Sequence, residues 1–401
     1  MYILGISCFY HDASAALLKD GKIVAAAQEE RFTRKKHDTS FPLNAIKYCL
    51  KSQGIKVSDI NYIGFYEKPL LKFERILSQH LEKFPRSYKT FLSILPSWFN
   101  EKLRVLKSVR KKLKYKKDIL FIEHHLAHAS SFLISPFEKA AIVTIDGVGE
   151  WTTTTYGTGI KNKITLEKEI QFPSSLGLLY STITAYLGFR VNNSEYKVMG
   201  LSAYGNMKKK SNPYYEKFKK IITIKDDGSF RLNMDYFVFH YKNKMPSKKL
   251  CSLLGSPIRK LESELTQRHK DIAAALQMIY EEALFKILKH VYKKTKYTNL
   301  VLAGGCSLNS VANGKILKNT PFKNFWIQPD PGDGGTSIGV ASYIYNTLLG
   351  KKRKFILENT YFGPEYSPAK IKKFLDKNKI NYSEFENEED LIQKNSRLNF
   401  Q

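Results

Sequence analysis

The chain has 401 residues, room for two or three ordinary domains, and 43% of it is hydrophobic, ample for a sizeable core. It carries a net charge of +28, from 65 Lys and Arg against 37 Asp and Glu, but the basic residues are dispersed, mostly lysine, and accompanied by no RNA or DNA module signature. This composition argues against specific nucleic-acid binding and suits attraction of small anionic substrates.

No apolar run reaches the roughly 18 residues of a membrane span. The opening MYILGISCF has no basic leader with a small-residue cleavage site, so a cytoplasmic protein is expected. Cys8, Cys49, Cys251 and Cys306 are scattered, without a CxxC pair. They frame neither disulfides nor a cysteine zinc site.

In chain order, Tyr2 to Cys8 reads as a short strand, Phe9 to Asp12 as a loop and Ala13 to Leu18 as a second strand. Lys19-Asp20-Gly21-Lys22 has hairpin-turn chemistry, and Ile23 to Ala27 is a third strand. A helix follows Phe41-Pro42 and runs through Cys49. From Leu70 to Lys117 the chain is basic, aromatic and helix-like, with Arg110 to Lys117 as a solvated helix face. The strand grammar then returns: Ala140 to Ile145, a glycine turn over Asp146 to Glu150, Trp151 to Tyr156, and Ile164 to Ile170.

A loop-rich stretch runs from Met207 to Pro257, and a long helix from about Glu262 to Lys293. Its apolar stripe of Ile272, Leu276, Ile279, Ala283, Ile287 and Val291 marks core packing. Asn299 to Ala303 is a strand ending in Gly304-Gly305. Ser310 to Leu317 is helix-like, Phe325 to Gln328 another strand, and Thr336 to Leu349 a closing helix. Two copies of a strand–loop–strand–turn–strand unit imply a duplicated α/β core, the logic of the actin, sugar-kinase and heat-shock ATPase (ASKHA) superfamily. The lobes are expected at 1–140 and 141–350.

Glu123-His124-His125-Leu126-Ala127-His128 is the strongest local signal for chemistry. On a helix, His124 and His128 lie one turn apart, about 6 Å along the axis, and can grip one divalent metal. His125 points elsewhere, as a support or toward substrate. Asp146 and Asp333 each sit at a strand end beside glycines, where carboxylates face a cleft. Two histidines and two carboxylates suit iron(II), manganese or zinc. Gly304-Gly305 lets backbone approach a ligand ahead of a helix start. Lys36 with Arg34 offers an anion clamp, and His11 a group to position or deprotonate a hydroxyl.

The segments ISCFYHDASAAL, AQEERFTRKKHD, EHHLAHASSFL, IVTIDGVGEW, SLGLLYSTITAYLGF, NSEYKVMGLSAYG, LAGGCSLNSVANGKI and DPGDGGTSIGVA together resemble the carbamoyltransferase family of nodulation and antibiotic-tailoring enzymes, over roughly residues 1 to 365. The resemblance implies an actin-like two-lobed domain similar to the tRNA threonylcarbamoyltransferases. It implies a divalent metal, iron(II) first, on His124, His128, Asp146 and Asp333. An adenylate site is implied at Glu195, Lys197, Gly200, Gly304, Gly305 and Asn309, with His11 and Lys36 near the transferred carbamoyl. The implied reaction makes carbamoyl adenylate from carbamoyl phosphate and ATP in a YrdC-like domain. The carbamoyl group then passes to a hydroxyl of a sugar or natural product.

Tyr361 to Tyr366 resembles the start of that second, α+β domain. Within 351–401 the resemblance stops at about Ile392, so the expectation is an incomplete domain and an impaired enzyme. Ser194 and Ser202-Ala203 also depart from the family's commoner residues. The alternatives are a nonfunctional or metal- and nucleotide-binding remnant, and an actin-like sugar kinase, which has no use for the paired histidines. Acceptor and oligomeric state stay open.

Overall fold

The computed structural model describes residues 1–261 and 263–398. Residues 1–362 form one compact unit and 363–401 a second.

The first unit is built on two five-stranded sheets of the same topology. Strands β1 (Tyr2–Ser7), β2 (Ser14–Lys19), β3 (Lys22–Gln28), β4 (Ile60–Phe65) and β5 (Ile119–Phe121) are ordered β3-β2-β1-β4-β5. The β1–β2 and β2–β3 pairs are antiparallel; β1–β4 and β4–β5 are parallel. The second sheet uses β6 (Lys139–Ile145), β7 (Thr152–Ile160) and β8 (Lys163–Gln171). A two-stranded ribbon, β9 (Ile222–Ile224) with β10 (Phe230–Leu232), stands apart. The second sheet is completed by β11 (Asn299–Ala303) and β12 (Asn324–Ile327) in the order β8-β7-β6-β11-β12. The repeated grammar of the sequence is therefore a repeated sheet: an antiparallel meander of three strands, then two parallel strands on the other side of the first. This is the duplicated actin-like core.

Strands β4 and β5 were not evident in the sequence; they give the first sheet its parallel side. The expected helix Ser310 to Leu317 is two short turns, Ser310–Asn313 and Ile316–Asn319, broken at Gly314-Lys315. The long helix runs Gln267–Thr295, and all six residues of its expected stripe are buried in the largest core cluster. The expected start at Glu262 lies outside the described residues.

Two helices cross between the sheets. The segment His124–Ile134 leaves β5 of the first sheet, yet Ala129, Phe132 and Leu133 pack with Ala140, Ile142 and Val301 of the second. The helix Thr336–Tyr343, continued by a wide turn to Leu348, leaves β12 of the second sheet. Its Val340, Ala341 and Ile344 pack among Ile3, Leu4 and Ile63 of the first. The two cross closely, because a Cβ on Gly339 would stand 2.1 Å from the Ala127 carbonyl oxygen.

Glu29 fixes the outer helix Leu43–Ser52. Its buried carboxylate accepts from the Asn44 backbone (3.2 Å), the Asn44 amide (2.7 Å) and the Ala45 backbone (2.9 Å), satisfying N–H groups that a helix start leaves open. Glu29→Ala should cost about 2 kcal/mol, since the buried Ala45 N–H loses its partner while the donors of exposed Asn44 can turn to water. A urea unfolding series reads this directly; an unchanged midpoint would contradict it.

In the second unit, Ser367 caps the helix Pro368–Lys377, and Glu388–Leu398 is a second helix; there is no strand among its described residues.

Candidate metal centre

β6 carries the chain to Asp146, whose backbone N–H is held by the Thr153 carbonyl (2.9 Å). The turn is tight enough that Gly177 must be glycine: a Cβ there would meet the Gly147 nitrogen at 2.7 Å. Ser175 ties the next helix, Leu176–Tyr186, to this turn, donating to the Gly147 carbonyl (2.7 Å) and capping Leu178 N–H (3.0 Å). The spacing of SLGLLY after IDGVGEW thus has a direct use. Opposite, Glu150 accepts from the His124 backbone N–H (3.1 and 3.2 Å) at the start of the helix His124–Ala129. That helix aims both expected histidines at one point.

The Nε2 atoms of His124 and His128 lie 3.1 Å apart. Asp146 Oδ2 is 2.8 Å from the first and 3.6 Å from the second. Asp333 Oδ1 is 3.7 Å from His124 and 3.6 Å from His128. One donor atom from each of the four residues lies within 4.8 Å of the others, in a buried cluster that could hold a metal ion. Its second Asp333 oxygen is buried without a hydrogen-bond partner. Two imidazoles and two carboxylates converging in this way fit a divalent cation. The four expected ligands come together.

His125 is not turned toward substrate. It is buried against β6, its Nδ1 2.7 Å from the Thr144 hydroxyl, and burial beside His124 pushes it down to about 3. Burial also opposes a charge on His128, but the carboxylates of Asp146 and Asp333 outweigh it and lift His128 to about 9. Both aspartates are held below the ordinary carboxylate range by the surrounding imidazoles, which overcome their burial. A cation must therefore displace the His128 proton. Metal uptake at neutral pH is expected to release about one proton per ion, and affinity to rise with pH up to about 9. A pH-stat titration in unbuffered solution checks this; uptake without proton release would contradict it.

Beside the cluster opens a cleft of about 270 Å³, lined by His11, Lys36, Asp146, Glu195, Gly305 and Asn309 among the expected residues. Asp146 belongs to both cluster and cleft: its other oxygen accepts from Gly305 N–H (3.0 Å). Gly304 sits beneath, at φ +92°, where a Cβ would meet the Ile145 carbonyl oxygen at 2.3 Å. Lys197 and Gly200 are exposed and do not line the cleft. The Asn309 amide is already committed, exchanging hydrogen bonds with Gln277 (3.0 and 2.9 Å) and capping Ala312 N–H (3.0 Å).

His11 Nε2 stands 3.8 Å from Asp333 Oδ2, while its Nδ1 is held by Asp12 (2.8 Å). Asp12 also holds His37 Nδ1 (2.7 Å), and His37 reaches Asn193 across the cleft mouth (3.1 Å). Lys36 lies 5.8 Å from the ring of Tyr196. Tyr10, His37, Tyr180 and Tyr280 also line the cleft. His37 stood next to a recognised anion clamp. Tyr180 and Tyr280 sit in apolar helices, and nothing local in the sequence marks them as facing a cleft.

Residues 2–342 match the family described as "Carbamoyltransferase N-terminus". The protein sll1178 of Synechocystis sp. is 46% identical over 389 residues, covering 93% of this chain and 62% of that one. Nodulation protein NolNO of Sinorhizobium fredii is 32% identical over 363 residues, covering 89% and 49%. MJ1051 of Methanocaldococcus jannaschii is 29% identical over 386 residues, covering 94% and 64%. The chain thus spans between about half and two-thirds of the length of these relatives. With the family match running across both sheets, the crossing helices and all four residues of the cluster, the chain belongs to the carbamoyltransferase N-terminus family.

Proposed function

We propose that the cleft is a transfer site, which moves a carbamoyl group from carbamoyl adenylate to a hydroxyl of a sugar or similar natural product. Carbamoyl phosphate and ATP are the proposed sources of that donor. The observation that supports this most is the double use of Asp146, which joins the four-residue cluster to the glycine-walled cleft.

In this reading His124, His128, Asp146 and Asp333 hold a divalent cation, iron(II), manganese(II) or zinc, which would offset negative charge building on the carbamoyl oxygen. The chain's own groups do the rest. Gly304-Gly305 keeps side chains away from the donor, and the start of the helix Leu176–Tyr186 faces its phosphate. Lys36 supplies positive charge for the leaving AMP. His11, with Nδ1 fixed by Asp12, presents Nε2 to the attacking hydroxyl; despite burial, Asp333 and Asp12 lift it to about 9, so it would take the proton only where a bound cation offsets the Asp333 charge. The hydroxyl oxygen bonds to the carbamoyl carbon, the carbon–oxygen bond to the phosphate breaks, and AMP leaves with the electron pair. Glu195, Lys197, Gly200 and Asn309 remain proposed adenylate residues. Glu195 and Asn309 line the cleft; an indirect role through the helix Glu195–Ser202 suits the other two.

Calorimetry with a sulfamate isostere of carbamoyl adenylate tests this. It is expected to bind the metal-loaded protein, to lose affinity on chelation, and to bind Lys36→Ala about tenfold more weakly. Equal binding with and without metal, or release of ADP from ATP on adding a sugar, would sink the reading; the latter would favour a sugar kinase.

A further inference from the structure

Within the insertion between β4 and β5, the helix Val105–Leu113 packs into the core, but the two helices before it leave much of their apolar surface exposed. In the helix Tyr88–Asn100, seven of 13 residues are large and apolar, yet Trp98 alone is buried. Tyr88, Leu92 and Phe99, at i, i+4 and i+11, fall on one stripe and are 52%, 47% and 51% exposed. Leu70 and Leu81 of the preceding helix, Pro69–Glu82, repeat the i, i+11 spacing and are more exposed still. Phe73 packs on Trp98 and Phe99 (ring centroids 5.5 and 5.7 Å), so the two helices form a hairpin. At its corner Phe84 is exposed, 6.2 Å from the Tyr88 ring. The apolar stripe therefore continues around the corner.

The charge around this stripe is one-sided. Residues 68–117 contain fifteen Lys and Arg against three Glu, and Lys83, Arg86 and Lys89 flank Phe84 and Tyr88. No helix among the described residues is long and apolar enough to cross a membrane. A second copy on this face would set the same positive charge against itself. A nucleic acid would use the lysines and leave the leucines and phenylalanines in water.

We infer that the hairpin Pro69–Asn100 docks on an anionic membrane surface. Its apolar stripe enters the headgroup boundary, and Lys83, Arg86 and Lys89 meet lipid phosphates. This inference is independent of the chemistry of the cleft, and neither depends on the other's outcome.

Flotation of the full chain with vesicles of phosphatidylcholine, alone or with added phosphatidylglycerol, tests it. Binding is expected only to the anionic vesicles, and it should fall steeply with salt. Leu70→Ser with Leu92→Ser should lower the partition constant at least about tenfold, as exposed apolar side chains of the stripe are lost. The unfolding midpoint should stay in place, because neither residue is buried. Reversing Lys83, Arg86 and Lys89 to Glu should lower binding comparably. The inference fails if neither vesicle binds, if both bind equally, or if the double serine variant floats like the parent. It also fails if light scattering finds a dimer that the double serine variant abolishes, which would assign the face to a second copy.

Discussion

Asp146→Asn is expected to lower divalent-metal affinity on the order of 100-fold or more, the share of one anionic ligand in a four-ligand site. The amide keeps the shape of the carboxylate but removes its charge, which now faces His124 at 2.8 Å and His128 at 3.6 Å. It also alters the hydrogen bond that holds Gly305 N–H against the turn. Metal per chain by mass spectrometry after dialysis, and binding of the adenylate isostere, should fall together. His11→Ala offers the contrast. It removes a group 3.8 Å from Asp333 but none of the four donors, so metal content should persist while the carbamoyl transfer proposed for the cleft is lost. Retained metal in Asp146→Asn would show that this carboxylate is not a ligand.

The largest effect on stability is expected at Gly5. It pairs with Gly64 across β1 and β4, and together they form the saddle on which the helix Thr336–Tyr343 lies. A Cβ at residue 5 would stand 1.9 Å from the Ser337 carbonyl oxygen, and one at residue 64 would stand 2.2 Å from Val340 Cγ1. The obstacle at Gly5 is backbone, which cannot rotate aside as a flexible side chain would. Gly5→Ala should therefore cost at least about 3 kcal/mol, the upper end for an overpacked core, and Gly5→Val more. Gly200→Ala serves as the control. It lies within the helix Glu195–Ser202 with open space around it, so alanine should be neutral or stabilising by up to about 1 kcal/mol. Urea unfolding of the three variants checks the order.

Much of this architecture was legible because it is written in local signals. The hairpin Lys19-Asp20-Gly21-Lys22, the meander after Asp146 and the helical stripe from Ile272 to Val291 each depend on neighbours in sequence, and each is where it was expected. The four-residue cluster was legible for a related reason: His124 and His128 share one turn, and Asp146 and Asp333 stand beside glycines in turns that follow strands. What was not legible depends on distant partners. β4 mixes Asn61, Tyr62 and Gly64 into its apolar residues, and its Gly64 makes sense only under Val340. β5 has three residues, too few for any periodicity. Asn309 lines the cleft, yet nothing in its own segment reveals that Gln277, 32 positions away, exchanges hydrogen bonds with its amide.

The paired crossing helices carry a consequence for how such a protein can be divided. The sequence reads as two tandem repeats, which invites cutting near residue 140 to obtain two autonomous modules. The severed front piece would leave Gly5 and Gly64 facing water, having lost Val340 and Ile344. The rear piece would leave Ala140, Ile142 and Val301 uncapped, having lost Phe132 and Leu133. Each repeat is finished by material donated from its sibling. Duplication is visible in the strands, but the unit of folding is the exchanged pair.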